Sequence, residues 1–499
     1  MKKIIEQLQI LSPFNCEVKS LMNVVNGVVA DKSANVDDFT KIGQKIISNM
    51  IDKKVFEYKF KRKDAAKTMS FKIRIGKSKD AKEIDPALLF QRLLIAANSS
   101  TIETSEVFSF ELSNYPPAIF ESPLMLRKSD KSQIVDSTTK LITAKEINNH
   151  HESSENEIST PLHSFSEESM DHKYVLDGGS LLRRLKWKKD TTYNEIASTY
   201  AEFVEKHYGN ATVVFDGYLT GPSTKDNTHA RRSTLSESKK INFDPGMKFS
   251  GTQKKFLSNS ENKARIIRLI GNHLEMANCS VIYCKDDADV DIAVTACKSV
   301  LSNNVTVVGE DSDVLVLLLY YSTIYSSNYK LIYKSDKAAS KYGDHDIFRY
   351  RDELGKDMCI HFLFLHAYSG CDTTSSFFGF SKQGVFKFFQ NNVDMQFQSK
   401  IFTTVNSSQK EIEIAGLKAT FALYGGRNGE SIAELRGRLM SEKVLKSSVF
   451  VSPERLPPTE GALKYHSYRT YHQIMTWMGK DITFTFFLLI YYVYYCCIF

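Results

Sequence analysis

The 499-residue sequence predicts an α/β fold: a central parallel sheet flanked by helices, with an N-terminal accessory α+β region before it and a mostly helical C-terminal part after it. Three observations predict this. Short β-branched or aromatic runs, "KYVLD" (173–177), "ATVVFDGY" (211–218), "CSVIYC" (279–284) and "NVTVVGEDSD" (304–313), read as strands buried on both faces. Amphipathic stretches lie between them: "YNEIASTYAEFVEKHYG" (193–209), "SENKARIIRLIGNHLEMA" (260–277) and "DIAVTACKSVLS" (291–302). Alternation of the two kinds is the pattern of a parallel sheet with crossover helices. Acids also recur where the strand-like runs end.

The rest of the chain follows from composition. Residues 1–127 mix a helical period ("FTKIGQKIISNMI", 39–51), a strand-like run ("MSFKIRIG", 69–76) and a Pro-containing turn, and form the accessory region. Residues 128–172 are rich in Ser, Glu and His and read as a flexible linker, in which the pair His150 and His151 reads as solvated, with metal binding as the alternative. The sheet domain then covers 173–395 and a mainly helical region 396–480. The tail 481–499 contains eighteen uncharged residues, "ITFTFFLLIYYVYYCCIF" (482–499), at the lower limit for crossing a bilayer. Three readings stay open for it: a membrane tail anchor, a buried terminal segment, or translated non-coding sequence.

Hydrophobic content of 42% and charged content of 25% are ordinary for a globular protein, and the net charge is +7. The excess is concentrated: residues 225–268 hold eleven Lys or Arg against four Asp or Glu. Such a patch suits a phosphate backbone, and a solvated basic loop is the alternative. The eight cysteines form no CxxC pair, which points to a reducing, intracellular compartment, nuclear or cytoplasmic, with no zinc site. The N-terminal stretch is interrupted by Glu6 and Gln7 and does not read as a secretory signal. A GxxxxGK[ST] phosphate loop, a GxGxxG fingerprint, HExxH and GxSxG are all missing from the sequence. His361 and His366 sit in an apolar run and read as satisfied core residues.

The acids carry the functional argument. "YVLD" stops on Asp177, "VVFD" on Asp216 and "VVGEDSD" on Asp311 and Asp313. "KDDADVDIA" sets Asp287 and Asp289 at a helix start, with Asp286 and Asp291 leaving the register ambiguous, and "YSGCDTT" adds Asp372. An Asp at one strand end is ordinarily a turn former or helix cap. Turn chemistry does not place one at four or five strand ends in order. Ligands bind beyond the carboxyl ends of parallel strands, so these seven side chains are expected to converge there. Crowded carboxylates repel one another, and hard divalent cations such as Mg²⁺ or Mn²⁺ are the physical remedy. Two such ions can activate water for phosphodiester hydrolysis.

The order of these pieces resembles the flap-endonuclease and PIN-like nuclease superfamily. "VLDGGS" matches the family's first Asp motif with Asp177, and "VVFDGY" its "FDG" with Asp216. "DDADVD" is similar to its paired acids, "GEDSDVL" to its "D-x-D" and "YSGCDTT" to its final "G-x-D". The resemblance spans about 173–395 and implies a PIN-like domain. Asp177, Asp216, Asp287, Asp289, Asp311, Asp313 and Asp372 would then be metal ligands and catalytic residues for two Mg²⁺ or Mn²⁺ ions. It further implies nucleic-acid contacts from Lys225, His229, Arg231 and Arg232, and from a helical hairpin at "FFGFSKQGVFKFF" with Gly379 and Lys382; an ordinary helix–turn is the alternative there. Two departures stand out: the motifs begin after a long N-terminal region, and the paired acids are Asp where the family has Glu. The stretches "GEDSDVLVLL" and "GCDTTS" also resemble uncharacterised animal proteins found in many transposon-like copies.

The expected function is therefore a divalent-metal-dependent nuclease acting on structured or single-stranded DNA or RNA. The alternatives are a catalytically inactive PIN-like nucleic-acid-binding or scaffold protein, and a tail-anchored protein using residues 482–499.

Overall fold

The computed structural model describes residues 39–49, 107–111, 115–122, 125–136, 138–139, 142, 172–217, 239–285, 287–336, 344–446 and 452–480. The chain is α/β. Its centre is a six-stranded sheet made of β3 (His172–Asp177), β4 (Thr212–Phe215), β5 (Ser280–Tyr283), β6 (Asn304–Val308), β7 (Leu331–Lys334) and β8 (His345–Asp346). The strand order is β5-β4-β3-β6-β7-β8, and only β8 runs antiparallel to its neighbour. An upstream hairpin pairs β1 (Phe120–Ser122) with β2 (Met125–Leu126).

Side chains alternate between faces along each strand, and the packing follows that period. Leu176, Val213 and Phe215 point to one face, where α2 (Gly178–Arg184), α3 (Tyr193–Tyr208), α4 (Gln253–Leu257) and α5 (Ser260–Met276) cover them. Tyr193 stacks on Phe243 there, and Trp187 sets its ring edge against Phe249. Val175, Val214, Val305 and Val307 point to the other face, against α6 (Ala288–Ser299) and α7 (Ser312–Ser322). Every residue of α7 is buried. With apolar side chains all round, it can only be an interior helix.

Behind α7 lie α8 (Ile347–Leu354), α9 (Lys356–Tyr368), α10 (Lys382–Gln390), α11 (Val393–Thr403), α12 (Gln409–Leu423), α13 (Ile432–Lys446) and α14 (Glu460–Trp477), after α1 (Phe39–Ser48) at the described start of the chain. Residues of α9 to α14 share one apolar core with the sheet, so 396–480 packs as a continuation of the α/β body. The linker expected over 128–172 is corrected at its beginning. Residues 132–136 are helical, and Ile134, Val135 and Ile142 belong to the main core alongside Ile119, Phe120 and Leu126. Residues 143–171, with His150 and His151, lie outside the described residues.

The chain runs from central β3 outward to β4 and β5, then returns to β6 on the other side of β3. That reversal opens a crevice at the carboxyl ends of β3 and β6. Among the described residues no helix is long and apolar enough to cross a membrane, and the tail 481–499 lies outside them.

Candidate metal centre

Each acid is placed by the end of a strand or the start of a helix. Asp177 ends β3 and caps α2, its Oδ1 accepting from the backbone N–H groups of Gly179 (2.8 Å) and Ser180 (3.2 Å). Gly178 is needed at this turn, because a Cβ there would sit 2.3 Å from the Phe215 ring. Asp216 follows β4, and its Oδ1 accepts from the Ala288 N–H at the start of α6 (3.2 Å). Gly217 lets that corner close, since a Cβ would lie 2.1 Å from the Lys285 carbonyl. Asp177 and Asp216 both border Gly179.

Asp287 is the N-cap of α6 and Asp289 lies buried in its first turn. Acids here also meet the favourable end of the helix dipole. Asp311 caps α7, accepting from the Asp313 N–H at 3.1 Å, and Asp313 is buried in the first turn. Asp289, Asp311 and Asp313 each bring a carboxylate oxygen to within 4.8 Å of the others. These are hard oxygen donors at a spacing that one Mg²⁺ or Mn²⁺ ion could span, so the residues present fit such a group. Of the acids in "DDADVD", Asp289 faces Asp311 and Asp313, whereas Asp291 lies beside the Cys284 thiol; Asp286 lies outside the described residues.

Asp372 joins through a cation that the sequence does not reveal. The Lys131 ammonium lies 2.9 Å from Asp372 Oδ2, 2.9 Å from Asp313 Oδ2 and 3.6 Å from Asp311 Oδ1. On the other side of Asp313, His366 Nε2 meets Oδ1 at 2.7 Å. His366 is fully buried, and burial together with the Lys382 charge lowers its pKa to about 4, so it is a neutral donor. His361 is the core residue the sequence implies, paired with Ser399 Oγ at 2.6 Å. His366 is a buried core residue as well, and its partner is a carboxylate of the cluster.

The electrostatics follow from crowding. Burial pushes Asp177 up to about 6, with the nearby Asp216 charge adding to the rise against the Ser180 N–H. Burial and the charge of Asp313 push Asp311 up to about 7, although 38% of its side-chain surface still reaches solvent. Burial alone would raise Asp313, but Lys131 and His366 hold it well below the usual carboxylate range. Tyr333 donates to the Asp311 carbonyl at 3.0 Å; burial and the carboxylates of Asp311, Asp177, Asp289 and Glu310 keep it a neutral phenol. One tyrosine thus feels acids from β3, α6 and the β6–α7 corner. Beside Asp177 a small open hollow is lined by Arg184, Gly309, Glu310 and Asp336, with Arg184 paired to Glu310 (3.8 Å) and Asp336 (3.7 Å).

The basic residues fare differently. Lys225, His229, Arg231 and Arg232 lie outside the described residues. Lys382 is corrected: it is buried, donating to the His366 carbonyl (2.7 Å) and Ser369 Oγ (3.0 Å), and burial lowers its pKa to about 7. It turns inward because the apolar positions of α10, Val385, Phe386 and Phe389, draw that face into the core. Gly379 takes φ 81° in the turn ahead of α10. Two partners of the cluster escape sequence reasoning. Lys131 stands in a polar stretch without periodicity, and the only hint for His366 is its place six residues before Asp372.

Comparisons with known proteins add the following. A family described as a domain of unknown function (DUF8702) matches residues 1–111. No curated protein matches. Solved structures similar to this chain include several from bacteriophage T5. One is a T5 protein co-crystallized with metal ions (TM-score 0.30, 11% identity, 62% of this chain and 97% of that one). A second is the T5 5′-exonuclease with bound zinc (TM-score 0.29, 12% identity, 55% and 99%). A third is the T5 flap endonuclease in a pseudo-enzyme–product complex with DNA and metal ions (TM-score 0.28, 12% identity, 65% and 99%).

Proposed function

We propose that this protein is a nuclease that depends on Mg²⁺ or Mn²⁺ and hydrolyses phosphodiester bonds in DNA or RNA. The observation that carries the reading is the meeting of Asp289, Asp311 and Asp313 within 4.8 Å at the carboxyl edge of a parallel sheet, with Asp177, Asp216, Asp287 and Asp372 on the same rim. A divalent ion bound there supplies an acidified water and a positive charge for the leaving oxygen. The chain's own residues do the rest. Asp177, Asp216, Asp287 and Asp289 present oxygens from rigid strand and helix ends, and His366 locks the rotamer of Asp313. The basic segment 225–268 attracts the phosphate backbone, with Lys225, His229, Arg231 and Arg232 as the proposed contacts.

Incubating the full chain with flap, single-stranded and structured DNA or RNA, with and without Mn²⁺, tests this. Metal-dependent cleavage that disappears in an Asp311→Asn, Asp313→Asn double variant is expected; cleavage that persists in that variant would reject the reading. A second reading, a PIN-like nucleic-acid-binding protein without turnover, is favoured by one observation: Lys131 already neutralises part of the cluster. It predicts salt-dependent binding that survives EDTA, with no product formed.

A further inference from the structure

The resemblance in sequence implies two divalent ions, but a chain-borne cation already lies among the acids that a second ion would need. Lys131 Nζ approaches one oxygen from each of Asp311, Asp313 and Asp372. Asp313 has both oxygens engaged, Oδ1 by His366 and Oδ2 by Lys131. Asp311 Oδ1 also accepts the Asp313 N–H. A divalent ion bridging Asp313 Oδ2 and Asp372 Oδ2 would have to sit between them, in the space that the ammonium fills at 2.9 Å from each.

Lys131 is held there by its backbone surroundings. Ser129 Oγ donates to the Gly370 carbonyl (2.5 Å), the Ser376 N–H donates to the Arg127 carbonyl (2.9 Å), and Ser376 Oγ donates to the Lys128 carbonyl (2.9 Å). The Phe378 N–H donates to the Ala118 carbonyl (2.8 Å), and Ile134 and Val135 anchor the other side of Lys131 in the core. The segment bearing the lysine and the loop bearing Asp372 are thus bound to each other. The side chain is also largely shielded, with 18% of its surface exposed.

We propose that Lys131 stands in for one of the two divalent ions, so that the centre holds a single Mg²⁺ or Mn²⁺, at Asp289, Asp311 and Asp313, with the ammonium completing it on the side of Asp372. This rests on the metal-dependent reading above and deepens it. The lysine neutralises one unit of charge where an ion would neutralise two, and it cannot carry a water to the substrate.

The test counts Mn²⁺ in the full chain by calorimetric titration and by elemental analysis after gel filtration, with electron paramagnetic resonance to detect a pair of adjacent Mn²⁺ ions. Wild type is expected to bind one ion per chain without Mn–Mn coupling. Lys131→Met, which keeps the stem and drops the charge, is expected to bind two with coupling, and Lys131→Arg to remain at one. Two ions in the wild type overturn the inference while leaving a metal-dependent nuclease intact. One ion in a Lys131→Met variant with a native far-UV spectrum overturns it as well. No ion in the wild type overturns the metal reading itself. Should Lys131→Met not fold, the wild-type count still decides between one ion and two.

Discussion

Asp313 shows how a buried charge is tolerated at the level of a single side chain. A lone carboxylate at that depth would be costly, and it persists because a lysine and a histidine take its two oxygens. Removing one partner of a buried ion pair typically costs about 3–5 kcal/mol. Asp313→Asn is therefore expected to lower the melting temperature as well as abolish cleavage, whereas Asp372→Asn, at a more exposed carboxylate, should cost less stability. Asp177 and Asp311 have the opposite sign. Their pKa values of about 6 and about 7 lie above the value of 3.8 for an ordinary Asp, so the folded chain holds protons that the unfolded chain has released. Metal-free stability should then fall as pH rises from about 4 to 7, because the unfolded state binds fewer protons across that window. Saturating Mn²⁺ should flatten the slope, since a bound ion takes over from those protons. Thermal melts at several pH values, with and without Mn²⁺, check both statements. Lys382→Met should alter stability and leave the salt dependence of nucleic-acid binding unchanged, because the ammonium faces the interior.

Among the elements, strands and corners were the legible part. The four apolar runs are β3, β4, β5 and β6, and two of the expected helices are α3 and α5 within a residue or two. They were readable because a strand buried on both faces has nothing but apolar side chains to show, and because β3, β4 and β6 run into an acid, two of which, Asp177 and Asp311, also cap a helix. The start of α6 was misplaced by three residues: "ADV" reads as loop, yet the Asp287 cap brings Ala288 into the helix. The glycines of the motifs are dictated by how closely the corners approach. Gly217→Ala would press a methyl group against the Lys285 carbonyl, and overpacking of this kind typically costs about 1–3 kcal/mol. We expect that variant to lose ion affinity along with stability, as measured by titration and melting, because the clash falls between Asp216 and the start of α6.

For the whole molecule, the sheet and its acids were visible in sequence, but the connection between distant parts was not. Hydrophobic periodicity reports neighbours within one element, and nothing in it says that residues 116–142 close over the loop at 370–378. The supposed boundary near residue 128 follows a real change in composition, but the first turns beyond it bury Ile134 and Val135. Truncation tests this. A chain beginning at residue 107, which keeps Phe108 and Glu111 against Arg436, should keep a cooperative melt. One beginning at residue 172 should expose apolar surface and bind a hydrophobic dye, since Ile119, Phe120, Leu126, Ile134 and Val135 leave the core with the deleted segment. Comparing dye fluorescence and melting for the two chains decides it.

The acids and their lysine are spread from residue 131 to residue 372, and β3 must wait for β6 to pair beside it. Chains are made from the N-terminus forward, so the pocket cannot exist while the polypeptide is still on the ribosome and residue 372 remains inside the exit tunnel. A nuclease of the kind proposed would thus stay harmless to the message and the ribosomal RNA around it until the whole of that span had emerged.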